Sequence, residues 1–312
     1  MSHSPFTRRS FMAGNALAGA AFSATSLAAQ TSQPIIPTRL ETGQKLRVGL
    51  VGCGNRSKQH LQAMNHYADQ YDVAALCDIL PEMLEEKRQL LKTGRPELFK
   101  DYQDMLKMRD LDAVLIVLPN TLHKEAAIAA LDAGKHVLIE KPPAMSLREV
   151  RLMREAAERA GVKAGVVLQC RTRKAIQAMR RAIGEGRFGR LLHADMYMKW
   201  YRPAEYYRMD VWRGQRRSGS GVTIAQAFHY IDLLQYLAGP VKRVHARMTN
   251  LAHPGVELED NLLAFTDFEC GAQGVVQAST ALWPGTDIRI ELNGENGTAV
   301  MSGDRVETWR FR

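Results

Sequence analysis

From Leu46 to Asp78 the chain reads as an apolar strand (Leu46-Arg47-Val48-Gly49-Leu50-Val51), a glycine turn (Gly52-Cys53-Gly54-Asn55-Arg56-Ser57), a helix-compatible stretch to Tyr67, a second strand, and a carboxylate at its end. A strand that turns through two glycines straight into a helix aims the helix N-terminus, with its unpaired amides, at the carboxyl edge of a sheet, where a dinucleotide pyrophosphate binds. Gly52 lets the chain turn sharply, and Gly54 lets the backbone approach the phosphates. Asn55 and Arg56 follow in the same cradle, and Asp78 is placed to accept the adenosine ribose hydroxyls. Ser57 stands where the fingerprint usually has its third glycine, so the context carries the reading: strand before, helix after, acid roughly 20 to 25 residues on. A carboxylate at Asp78 repels a 2′-phosphate and Ile79-Leu80 offers no arginine, so NAD is expected in preference to NADP.

Beyond Asp78 the pattern keeps alternating. Helical stretches at Pro81 to Lys92, Asp101 to Lys107, Thr121 to Ala133 and Ser146 to Ala160 separate strands at Leu98 to Lys100, Asp112 to Leu118, His136 to Ile139 and Val162 to Leu168. Such alternation predicts a doubly wound parallel sheet. Ser146 with Glu149 three residues on predicts a capping box, and Gly134 a helix stop. From Thr172 the pattern changes to one helix (Arg173 to Glu185), a strand at 191–200, an irregular aromatic and basic stretch, a helix (Ala225 to Ala238) and then strand after strand. The fold expected is α/β, with an N-terminal Rossmann sheet over 45–168 and a C-terminal α+β domain with a largely antiparallel, open-faced sheet over 169–312.

The first 29 residues carry Thr7-Arg8-Arg9-Ser10-Phe11, an uncharged Ala-rich run and small residues before Gln30. They resemble a twin-arginine export signal, followed by a linker at 30–44. Its removal takes the formal net charge from +9 to +7. The basic residues fall in short clusters without interleaved aromatics, so no nucleic-acid partner is expected. No further run of about 18 apolar residues would span a membrane. Cys53, Cys77, Cys170 and Cys270 stand singly rather than in CxxC pairs, which predicts buried free thiols and no metal site.

Glu140-Lys141-Pro142 closes the strand His136 to Ile139, at the ligand-binding edge of such a sheet. With Gly52-Cys53-Gly54, Pro119-Asn120 followed by His123, Gly134-Lys135-His136-Val137, Trp212-Arg213-Gly214, Gly219-Ser220-Gly221, and His229 with Asp232, the chain resembles the Gfo/Idh/MocA oxidoreductases of sugars and cyclitols. The second domain is most similar to the branch that oxidises UDP-linked amino-sugar uronic acids. The resemblance implies that Lys141 holds the substrate hydroxyl and relays its proton, beside a Pro142 whose peptide bond is often cis in this family. It implies that His229 serves as base or hydroxyl anchor, with Asp232 on the same helical face. Pro119, Asn120 and His123 are expected to line the cofactor crevice, with Glu140 as a structural partner there. Many members carry Asp or Asn where this chain has Ala225.

Trp200, Arg202, Tyr206, Tyr207 and Arg213 form an aromatic and basic group suited to an acidic or phosphorylated sugar, or to plain packing. Three functions stand at this level. The first is an exported, periplasmic NAD oxidoreductase of a carbohydrate that recycles a retained cofactor, the compartment having no nicotinamide pool. The second is an NAD-using glycosidase, and the third a non-catalytic sugar or nucleotide binder. The family resemblance also implies a homo-oligomer paired through the open sheet, and a last helix and strand beyond the position of Arg312.

Overall fold

The computed structural model describes residues 45–92, 94–209, 213–219 and 221–312. The expected signal (1–29), the whole of the linker (30–44) and the motif residues Trp212 and Ser220 lie outside the described residues. The strand before the glycine turn is β1 (Leu46–Val51), followed by α1 (Ser57–His66), β2 (Tyr71–Cys77), α2 (Pro81–Gln89), β3 (Glu97–Phe99), α3 (Tyr102–Met105), β4 (Ala113–Ile116), α4 (His123–Asp132), β5 (His136–Ile139), α5 (Leu147–Ala160) and β6 (Ala164–Val166). The strands form one parallel sheet in the order β3-β2-β1-β4-β5-β6. Leu50, Leu76, Leu115 and Ile116 are at most 1 % exposed, because helices cover both faces of a parallel sheet at its centre. Chain order reverses between β1 and β4, and the crevice this opens at the carboxyl ends of the strands is where a ligand enters.

Helix α5 starts as its sequence dictates. Ser146 Oγ accepts the Glu149 amide (3.2 Å), while Glu149 Oε2 accepts the amide of Met145 (2.9 Å), one residue earlier than in a strict capping box. Gly161, in the left-handed region at φ 66°, closes the same helix.

A second unit begins with α6 (Lys174–Gly184) and continues through β7 (Leu191–Lys199), α7 (Ala204–Arg208), α8 (Phe228–Ala238), β8 (Val241–Thr249), β9 (Asn261–Phe268), β10 (Gln273–Ser279), β11 (Arg289–Gly294), β12 (Gly297–Ser302) and β13 (Arg305–Phe311). Its sheet runs β13-β12-β11-β7-β10-β9-β8. Ile176 and Met179 of α6 and Leu233 and Leu234 of α8 close over Ala194, Met196 and Ile290 to make a continuous core on one face. The other face is open: Leu262, Ala264 and Thr266 of β9 are buried, but Leu263 and Phe265 between them point outward, Phe265 being 68 % exposed.

The sheet is largely antiparallel as expected; among the described residues its one parallel pair is β7 with β10, because the excursion through α8, β8 and β9 brings the chain back in its original direction. Two expectations are corrected here. The helix expected from Ala225 is broken: a π-helical turn, Val222–Gln226, precedes α8. Its start is pinned, since the Glu259 carbonyl accepts the Val222 amide (2.9 Å) and the Glu259 carboxylate accepts that of Thr223 (3.1 Å). Gly221 lies so close to the same carboxylate that a Cβ would collide with it. Cys53, Cys77 and Cys170 are buried free thiols as expected, but Cys270, at the tip of the β9–β10 hairpin, is exposed.

Candidate functional site

The glycine loop shows two different uses of a missing side chain. Gly52 sits at φ 95° and donates its amide to the Cys77 carbonyl (2.9 Å), and a Cβ there would strike the carbonyl of Val117, just past the end of β4. Gly54 has nothing within 4 Å of where its Cβ would stand. The space lies on the ligand side. Ser57, fully buried, returns its hydroxyl to the Gly54 carbonyl (2.7 Å), so the serine in the third fingerprint position closes the loop on itself.

Two cavities of about 350 Å³ each meet at Gly54, Val117, Leu118 and Pro119. One runs outward over Asp78, Ile79, Leu80 and Leu122, and has the apolar walls that a purine needs. The other runs inward past Asn55, Arg56, Asn120, Glu140 and Lys141 to Arg213 of the second unit. Together they form a trough across the ends of β1, β4 and β5 whose two halves match the two halves of a dinucleotide. Asp78 is oriented for it by two backbone donors, the amides of Cys53 (2.7 Å) and Leu80 (3.0 Å), which leave further lone pairs for a ribose diol. These residues fit NAD.

At the inner end, Glu140 is a nearly buried carboxylate held by Arg56 Nε (2.5 Å) and His60 Nε2 (2.8 Å). Burial alone would raise its pKa, but the hydrogen bonds and charge of these partners outweigh it and hold the carboxyl at about 2. Glu140 is therefore ionised and ties α1 to the end of β5. Lys141 follows, its peptide bond to Pro142 cis. Its ammonium donates to the Ala225 carbonyl (2.9 Å). Burial lowers its pKa, and the charge of Glu140 opposes the shift. His229 lies at the second residue of α8, its Nε2 facing Gln169 Nε2 (3.3 Å). Its Nδ1 is buried without a hydrogen-bond partner among the described residues. Burial first, and the charge of Lys141 second, depress its pKa to about 4, so the ring is neutral near pH 7.

One expected position needs correction. His123 does not line the crevice: it is fully buried, with Nδ1 2.7 Å from the Pro142 carbonyl and Nε2 2.8 Å from the Leu118 carbonyl. It works as a strut between the loops after β4 and β5, and burial pushes its pKa down. Asp232, on the same helical face as His229, is held from outside that helix. It receives a bidentate grip from Arg171 (2.8 and 2.5 Å), the geometry that a guanidinium fork and a carboxylate favour.

In the aromatic and basic group, Trp200 packs edge-on against Tyr230 (6.0 Å between centroids) with the Arg202 guanidinium over its ring (5.1 Å). Arg202 and Arg213 both lie over Tyr206 (5.3 and 4.6 Å), whose hydroxyl accepts from Gln226 (2.5 Å). The rings are thus platforms for guanidinium groups. Tyr207 is buried, its hydroxyl 2.7 Å from that of Thr280, and belongs to the packing. Asn120 donates to the Ser218 carbonyl (3.1 Å), joining the loop after β4 to the segment that carries Arg213. Sequence reasoning missed His60 and Gln169. His60 stands one turn after Arg56 on α1, a spacing that could have shown it; Gln169 was visible only as a polar residue just past the last parallel strand.

Residues 46–168 match the oxidoreductase family with an NAD-binding Rossmann fold, GFO/IDH/MocA, and residues 176–300 match the GFO/IDH/MocA C-terminal domain. The chain is 30 % identical to the D-apiose dehydrogenase of Paraburkholderia graminis over 89 % of its own length and 73 % of that protein's. It is 28 % identical to the levoglucosan dehydrogenase of Pseudarthrobacter phenanthrenivorans, over 84 % and 75 %. Among solved structures, the WlbA dehydrogenase of Bordetella pertussis, crystallised with NADH and UDP-GlcNAcA, superposes with a TM-score of 0.81 at 35 % identity, over 86 % of this chain and 82 % of that one. A glycine loop, an Asp78 and a Lys141 in one trough agree with these likenesses, and the chain belongs to the GFO/IDH/MocA family of NAD-binding oxidoreductases.

Proposed function

We propose that this protein is an exported NAD-dependent oxidoreductase that exchanges a hydride with a secondary or anomeric carbon of a sugar or sugar derivative. The observation that carries the reading is Lys141, whose side chain opens into the same cavity as the glycine loop, with Arg213 facing it from the second unit. Bound NAD supplies the hydride acceptor. When the substrate alcohol is oxidised, its carbon gives up a hydride and its oxygen a proton. Lys141, as the amine, takes that proton and becomes ammonium; in the reverse direction it returns it. His229, neutral near pH 7, is suited to orient the hydroxyl. Burial of Lys141 brings its basicity toward the working range, and Glu140 keeps it from falling too far.

Arg202 and Arg213, stacked over Tyr206, favour an acidic sugar, because guanidinium forks bind carboxylate or phosphate in two-point fashion. Relatives named for apiose and levoglucosan, and the WlbA structure with UDP-GlcNAcA, support a carbohydrate substrate. The Arg8-Arg9 segment supports export of the folded protein with cofactor inside, where it is recycled between two sugars. The open face at Phe265 supports pairing of subunits.

The test is to express the chain with its own leader, purify it from the periplasm, denature it and identify released nucleotide by mass spectrometry, then assay sugars with wild type and Lys141→Ala. Near-stoichiometric NAD, turnover in wild type and a fall in kcat of about 10²- to 10⁴-fold in the variant are expected. Sugar binding with no turnover would overturn the reading in favour of a binding protein. Aglycone release without net NADH would overturn it in favour of a glycosidase.

A further inference from the structure

The π-helical turn Val222–Gln226 stands in the wall of the site, and its consequence is a carbonyl turned away from the helix ladder. The Ala225 amide bonds to the Gly221 carbonyl (2.8 Å), the Ala227 amide reaches back five residues to Val222 (2.8 Å), and the amides of Tyr230 (2.9 Å) and Ile231 (3.0 Å) both go to the Ala227 carbonyl. The ladder thus passes from Val222 to Ala227. The carbonyl of Ala225, lying between, takes the ammonium of Lys141 at 2.9 Å. Turns of this kind recur at functional sites because they free a backbone group at a fixed place.

We infer that the Ala225 carbonyl is the positioning group of Lys141: it holds one N–H, so that what remains on the nitrogen faces the trough. A carbonyl oxygen can only accept. With one N–H held there, the neutral amine has its lone pair among the positions open to a substrate hydroxyl, and the ammonium has two N–H bonds for a carbonyl. This rests on the proposed role of Lys141 in proton transfer. It explains how the site works with alanine at 225, where no side chain is available to hold the lysine. The charged and titratable groups around Lys141 are Glu140 beside it, Arg56 on the glycine loop, Cys170 after β6, His229 on α8 and His123 at the start of α4. None of them has a hydrogen bond to Nζ in the structure, whereas Ala225 does.

The experiment is ¹⁵N NMR of lysine-labelled full-length protein, with the Lys141 Nζ resonance identified by its loss in Lys141→Arg and titrated with pH. Ala225→Asp puts a carboxylate next to the same spot and is expected to raise the Lys141 pKa by about one to three units. The acid limb of the sugar-oxidation kcat profile moves with it, and NAD binding is unchanged. Replacing Gln226 by its α-hydroxy analogue turns the Ala225 carbonyl into an ester, a weaker acceptor, and is expected to move the pKa in the opposite direction. Opposite shifts establish the contact. A folded, NAD-binding variant of either kind with no shift overturns it, and the ester decides if Ala225→Asp does not fold. Shifts in the NMR titration without sugar turnover would refute the proposed activity and leave the positioning of Lys141 standing.

Discussion

Two glycines two residues apart should fail in opposite ways when each becomes alanine. At Gly52 the backbone is at φ 95° and the new Cβ meets the carbonyl of Val117, which lies just past the end of β4 and is held there by its amide's bond to the Val51 carbonyl (2.8 Å). The left-handed conformation costs an ordinary residue about 1–2 kcal/mol, and overpacking against backbone adds about 1–3 kcal/mol. At about 2–4 °C per kcal/mol for a chain of this size, Tm is expected to fall by roughly 4–20 °C. At Gly54 no atom of the described residues, its own chain neighbours aside, lies within 4 Å of the new methyl, so stability stays within about 0.5 kcal/mol. The methyl instead occupies the space over which the two cavities join. A loss of about 1–3 kcal/mol of dinucleotide contact raises the NAD Kd roughly 5- to 150-fold. Differential scanning fluorimetry without ligand and isothermal titration with NAD separate the two effects. Equal NAD affinity in Gly54→Ala and wild type would refute the trough as the cofactor site, and equal Tm for the two variants would refute the steric account of Gly52.

Glu140→Gln should cost about 1–3 kcal/mol in urea denaturation, since it strips a buried carboxylate from Arg56 and His60 while the half-exposed arginine recovers some solvation; an unchanged midpoint would count against the network. Because Glu140 titrates at about 2 in the fold, against an ordinary 4.5, its stabilisation is complete above pH 4.5 and is lost as pH falls through that window. His229 acts in a higher window. Its folded pKa of about 4 lies below its ordinary 6.5, so the unfolded chain takes up the proton first and stability drops as pH falls from 6.5 to 4, by about 3 kcal/mol in all. His229→Gln should abolish that part of the pH dependence, and a variant whose denaturation midpoint still falls between pH 6.5 and 4 as in wild type would exclude it. If the open sheet pairs subunits, Phe265→Asp should convert the oligomer to monomer in size-exclusion chromatography with light scattering at unchanged secondary structure.

The dinucleotide half of the molecule was legible because its signals are local. Gly52, Gly54 and Asp78 lie within 27 residues along two strands and one turn, and strand, turn and helix periodicities dictate where such residues point. Lys141 was legible as the end of a parallel strand. The second unit was legible as a run of strands, but its parallel pair and the break before α8 were not, since both follow from what the strands meet in space.

The same physics separates residue from role. The amino-acid order determined the Rossmann sheet, the glycine cradle, the carboxylate at its far end and the lysine beside it, through contacts between near neighbours and continuous apolar strands that fit a sheet covered on both faces. Tertiary structure decided that His123 is a strut, that Asp232 belongs to Arg171, that Glu140 gathers Arg56 and His60, and that Lys141 rests on a backbone carbonyl 84 residues away. A side chain's partner at that separation depends on how two sheets and their helices pack, and a backbone carbonyl is common to every residue, so no residue type marks it in advance.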